Sequence, residues 1–298
     1  NSKHNRKDVL EFKTESGEFR FSGFVQLAQK EKNMFAEIKR AICGKRFWVS
    51  CLIILICLFG VSIPEWINSA NWGIIYRQSA LQQSISGFFF GGVMLLLPSC
   101  ACLSYAPSQV DELNSSVLCW KLIRSSIGRY ALNKTTAVAI SGGLSVSLPF
   151  ALHSLLWNVI ALPCDPITYP YHAIQFYEES IYHNLYSNLH GLPMYISIFA
   201  GLFVAGACWS VVSLAVSVWI PDHIIMITIP TCICYLLSAN VLHKLFGITA
   251  PHPAALYNDA LTLDEVKNSL IQYSIIFAFA YALYLAGLNR RKQNEKYF

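Results

Sequence analysis

The chain has 298 residues, 54% of them hydrophobic and only 13% charged, with 22 Lys+Arg against 17 Asp+Glu. With a mean hydropathy of +0.43 this excludes an ordinary soluble domain, and no nucleic-acid partner is expected; an all-α polytopic protein of the lipid bilayer fits. Ten cysteines would suggest a disulfide framework only in a small secreted domain; here Cys51, Cys57, Cys100, Cys102, Cys208, Cys232 and Cys234 fall in apolar runs, so no bridge is expected.

Residues 1–46 read as a cytoplasmic N-terminal region. No charged segment, apolar core and cleavage site open the chain, so no signal peptide is expected. Residues 9–13 and 18–21 alternate apolar and polar about Thr14-Glu-Ser-Gly17, the pattern of a short hairpin that is marginal on its own. Phe35, Ile38 and Ile42 then form an apolar stripe among Lys32, Lys39, Arg40, Lys45 and Arg46. That predicts a helix in the inner headgroup layer, either a plain anchor or an elbow that moves with the spans.

Six spans are expected near 47–65, 85–106, 135–162, 193–220, 223–244 and 269–289, which makes 47–289 the transmembrane domain and 290–298 a tail. Eleven Lys/Arg precede the first span, four lie in the central loop and four follow Asn289, so 19 of 22 fall on one side. Both termini are therefore expected in the cytoplasm. Trp66, Trp72 and Tyr76 read as interface anchors after the first span.

Between the second and third spans lies a polar interval, residues 107–134. Pro107 stops the preceding helix, and Ser108 with Asp111 has the spacing of a capping box with acid at the helix's positive end. Val110, Leu113, Val117 and Leu118 give the new helix an apolar side. Ser115-Ser116 and Gly128 should interrupt or end it. The order Glu112, Ser115-Ser116, Val117-Leu118, Arg124-Ser125, Tyr130, Lys134 resembles the loop after the second span of ABC-2-type permeases, the membrane subunits of ATP-driven exporters; the family's Gly-Thr pair is missing.

This resemblance implies a coupling helix that docks on an ABC ATPase through Asp111, Glu112, Val117, Trp120, Lys121, Arg124 and Arg129. It also implies a second permease chain and export of an amphipathic peptide or lipid-like substrate from a bacterial cytoplasmic membrane, as in peptide export or bacteriocin immunity. The sequence has no GxxxxGK[ST], and Ser141-Gly-Gly143 is not followed by Gln, so ATP and Mg²⁺ would be held by a separate polypeptide and this chain would have no catalytic residue or cofactor of its own.

The third span carries Ser141, Gly142, Gly143, Ser145 and Ser147 and the fourth Gly201, Ala205, Gly206, Ser210, Ser213 and Ser217, at spacings that allow close helix approach. Packing is the plain reading of these. A substrate path would use Ser145, His153, Asn158, Ser210 and Ser213. Pro149 and Pro230 are tolerated inside spans.

The aromatic connection from Tyr169 to Tyr186 suits a helix lying along the outer interface. Within it Glu179 and His183 stand one helical turn apart, but two ligands make no metal site and none is expected. Glu178-Glu179 resembles the paired glutamates of CAAX-type intramembrane proteases, with His183 where that family has Arg. A metal-dependent membrane enzyme around Glu178, Glu179 and His183 is therefore the alternative function, and a non-transporting scaffold or sensor using the N-terminal hairpin is a third. Beyond Pro251-His-Pro253, Thr262 to Glu265 reads as a further capping box.

Overall fold

A computed structural model describes residues 34–71, 80, 83–84, 93–115, 117–118, 121, 126–161, 192–238 and 263–295. These are all-α. In chain order the helices are α1 (residues 34–42), α2 (Lys45–Asn71), α3 (Val93–Ser104), α4 (Pro107–Asn114), α5 (Ile127–Ile160), α6 (Leu192–Trp219), α7 (Ile225–Ser238) and α8 (Leu263–Glu295). The expected hairpin at residues 9–21 lies outside the described residues.

Four stretches are long and apolar enough to cross a membrane: Lys45–Asn68, Ile127–Ile160, Leu192–Trp219 and Lys267–Gln293. At about 1.5 Å per residue each exceeds the roughly 30 Å of hydrocarbon. The chain is a multi-pass membrane protein on that ground. The described parts of the other two expected spans, α3 with 12 residues and α7 with 14, are shorter, and the remainder of those runs lies outside the described residues.

Three helices run well past the expected spans, α8 among them, extending over Leu263–Glu295 where 269–289 was expected. The first span was expected to end at 65, yet α2 runs on to Asn71 with Pro64 inside it, and Trp66 packs on Trp157 with ring centroids 5.9 Å apart. The third span was expected from 135, yet α5 begins at Ile127 and carries Gly128, Arg129, Tyr130 and Lys134 within the helix. The expected break at Gly128 does not occur; a β-carbon there would meet open space, so nothing in the packing asks for glycine.

α5 and α6 form the centre: 61% and 67% of their most apolar windows are buried, against 33% for α2 and 22% for α8. Their contact is a glycine seam. A β-carbon on Gly206 would stand 2.6 Å from Gly142 O, and one on Gly142 would stand 2.9 Å from Gly206 O, so no larger residue fits without parting the helices. Ser210 Oγ shares its proton between Ala207 O of its own helix (2.8 Å) and Val138 O across the seam (3.1 Å). In lipid such close packing replaces the hydrophobic drive that operates in water.

Apolar contacts fall into two buried clusters. One joins Ile54, Leu97, Phe150, Ile198 and Trp209; the other joins Ala41, Val110, Val138, Leu214, Met226, Tyr284 and Leu288. The second cluster supports the polar interval. On α1 the inward positions are Ile38 and Ala41, whereas Phe35, expected in the apolar stripe, stands 64% exposed. A tight connection returns α6 to α7, where Asp222 Oδ1 accepts the N–H groups of Ile224 (2.8 Å) and Ile225 (3.0 Å); these bonds lower its pKa.

Candidate functional site

α4 starts at a proline whose missing N–H and fixed φ suit a first helical position. The expected capping box does not form: the N-cap is Ala106, no side chain caps it, and no acid lies in the first turn. Both of its members are engaged elsewhere. Ser108 Oγ accepts a hydrogen bond from Lys134 Nζ at 2.8 Å, while Asp111 turns outward to Arg46 Nη1 at 2.8 Å and His223 Nε2 at 3.3 Å. The helix ends at Asn114, capped through Ser115, so Val117 and Leu118 belong to the following segment; Leu118 is buried and Val117 is 41% exposed.

The inner side of α4 presents Gln109 and Glu112, and both are buried. Glu112 Oε1 receives Lys134 Nζ at 2.7 Å and Lys121 Nζ at 2.9 Å. Its other oxygen lies 2.7 Å from Tyr130 Oη, which is also 2.8 Å from Gln109 Oε1, so one phenolic proton serves two acceptors. Tyr284 Oη on α8 donates to the same Gln109 oxygen at 3.1 Å. From α1, Glu37 Oε1 approaches Lys121 (3.5 Å) and Lys134 (3.8 Å). The Lys134 ammonium also lies 4.6 Å from the centroid of the Tyr105 ring.

Two carboxylates and two ammonium groups thus meet with no net charge at the base of the bundle. Lys134 is 0% and Glu112 5% exposed, so neither is solvated and each depends on the other. Burial by itself would raise the Glu112 pKa. The Lys134 charge, with hydrogen bonds from Lys134, Tyr130 and Lys121, outweighs it and holds the carboxyl at about 2. The carboxylate is therefore ionised throughout the physiological range. Such an arrangement ties α1, α4, α5 and α8 together in one register.

Of the residues expected to contact an ATPase, Asp111 and Val117 reach the surface, and Arg129 is exposed on the first turn of α5. Glu112 points inward, and Lys121 is 29% exposed with its ammonium on Glu112. Trp120 and Arg124 lie outside the described residues. Sequence reasoning missed Glu37, Gln109 and Tyr284. The available signal was Lys134 itself: an ammonium next to an apolar run requires a buried acid, and Glu112 is the near one.

The residues of the expected substrate path make separate hydrogen bonds among the described residues. Ser145 Oγ donates to Gly142 O within α5 (2.9 Å), and Ser213 Oγ to Met226 O (2.7 Å), which ties α6 to α7. With Ser210 bonded across the seam, these hydroxyls are satisfied parts of the packing. Asn158, on the exposed face of α5, donates to Ser154 O (2.8 Å) and Tyr195 Oη (3.0 Å).

His153 is different, being wholly buried between α2 and α5. Trp157 Nε1–H, which can only donate, lies 2.9 Å from His153 Nε2, so the ring proton is on Nδ1. Ser62 Oγ stands 2.9 Å from the same Nε2, Gln83 donates to Ser62 O, and Phe59 packs edge-on against the ring at 4.9 Å. Nδ1 has no hydrogen-bond partner among the described residues. No group of three or more His, Cys, Asp or Glu suited to a metal occurs among the described residues, and Glu178, Glu179 and His183 lie outside them. No family model, no curated protein and no solved structure matches this chain.

Proposed function

We propose that the chain is a six-span permease subunit of an ATP-driven ABC exporter of the ABC-2 type, with both termini in the cytoplasm and α4 as its coupling helix. The observation that carries this reading is the two-sidedness of α4. Its outer side offers Asp111, and its inner side plugs Glu112 and Gln109 into ion and hydrogen bonds with α1, α5 and α8. A push on α4 by a partner would therefore move the amino-terminal turns of α5, one of the two central helices, and not a loop alone. ATP and Mg²⁺ would be bound by the separate ATPase, and two permease chains would enclose the path of an amphipathic peptide or lipid-like substrate.

The test is purification of the tagged chain from its own host membranes, followed by assay of ATP hydrolysis and identification of co-purifying polypeptides. A stoichiometric partner bearing GxxxxGK[ST], with hydrolysis that stops when its lysine is replaced, is the expected result. Purified chain with no such partner and no hydrolysis would reject the reading.

A further inference from the structure

Where α6, α7 and α8 meet, the bundle carries a groove of about 550 Å³ lined wholly by apolar side chains, among them Trp209, Val216, Ile233, Ile276, Phe279 and Leu283. It opens sideways, toward the bilayer: Ile233 is 39% and Phe279 65% exposed. A groove that exposes no hydrogen-bonding group rejects a peptide backbone and accepts hydrocarbon.

The end of the groove nearest the polar interval is built differently. There Trp219 Nε1 donates to Leu283 O (3.2 Å), and the Arg290 guanidinium lies 5.5 Å from the Trp219 ring centroid. Gly287 allows this junction, because a β-carbon would stand 2.6 Å from Val218 Cγ1 and 3.1 Å from Trp219 Nε1. Arg291 is held by Val218 O (2.7 Å). Among the described residues no carboxylate pairs with Arg290, Arg291 or Lys292.

We propose that this groove binds one acyl chain of an anionic phospholipid, with the headgroup phosphate held by Arg290 at its mouth. Arginine beside a tryptophan, at the end of a helix that leaves the membrane, presents a planar donor to a phosphate while its stem stays in apolar surroundings. A cationic rim with no acid partner among the described residues favours an anionic occupant over a second copy of a chain whose own net charge is +5. The inference rests on the membrane location of α6 and α8 and not on the transporter reading, so it can fail or stand independently of an ATPase.

The test uses the purified full chain, equilibrated in mild detergent with equimolar phosphatidylglycerol and phosphatidylcholine of identical acyl chains, and native mass spectrometry. Wild type is expected to retain one phosphatidylglycerol with a preference of about fivefold, the effect of one cation near a membrane surface. Arg290→Gln, a surface change, should bring the ratio close to one without lowering total lipid. Ile233→Trp, which adds volume from an exposed position, should remove both lipids. Equal retention by wild type, or an unchanged ratio in Arg290→Gln, overturns the headgroup assignment whatever Ile233→Trp does. Undiminished lipid on folded Ile233→Trp, or a wild-type dimer that this substitution dissociates, overturns the assignment of the groove to lipid.

Discussion

The two ends of α5 bury polar groups in opposite ways. Near its start, Lys134 is fully enclosed and its ammonium protons meet Glu112, Ser108 and the Glu37 side, with the charge balanced by acids from two other helices. Near its end, His153 is also fully enclosed, but it is neutral and leaves Nδ1 without a partner among the described residues. A charge in this bundle is accepted only when compensated, whereas a neutral ring is accepted with one bond short. That follows from the desolvation cost, several kcal/mol for an ion and roughly 1–3 kcal/mol for an unmade neutral hydrogen bond.

The comparison breaks most visibly if one ion is removed. Lys134→Leu or Glu112→Leu should each destabilise the protein by roughly 3–5 kcal/mol, because the partner is left buried and unpaired. The double replacement should cost far less than the sum, since Lys121 and Glu37 still balance one another. Reversible unfolding in detergent of the four proteins of this cycle measures it. Additive losses would show that the pair is not a unit.

Acid offers the same test without mutation. The Glu112 pKa is lowered from 4.5 to about 2 in the folded protein, so its stabilisation is complete above pH 4.5 and is lost as the pH falls from there toward 2. The loss is about 3 kcal/mol in that window and nothing near neutrality. Unfolding midpoints measured from pH 6 to pH 3 should fall in wild type and stay flatter in the Glu112→Leu/Lys134→Leu protein. At the other end of α5, His153→Ala should cost about 1–3 kcal/mol, from a lost hydrogen bond to Trp157 and a small cavity. A loss as large as that of Lys134→Leu would remove the distinction between the two ends.

What could be read in the sequence follows the same division. The long apolar runs locate α2, α5, α6 and α8, because composition alone decides which segments lipid accepts. The small residues of the α5–α6 seam were visible as spacing, and their packing role holds at Gly142, Gly206 and Ser210. The helix itself begins at Ile127, before the span expected from 135, because Lys134, covered by Glu112, continues it. The capping box failed because local spacing cannot reveal that Ser108 and Asp111 are engaged by Lys134 and Arg46. Tyr284 could not be foreseen at all, since it meets Gln109 from 175 residues away.

The claim that α4 joins a partner to the spans is tested most directly by separating its two sides. Asp111→Lys and Arg129→Glu change exposed charges, so each should alter stability by less than about 1 kcal/mol. The quantities to measure are ATPase co-purification and ATP hydrolysis for the Asp111→Lys/Arg129→Glu chain at wild-type expression and wild-type thermal stability. The account predicts loss of most associated ATPase with the fold intact. Full retention of ATPase and of its hydrolysis by that chain would contradict it, and α4 would then be a structural brace of the bundle and nothing more.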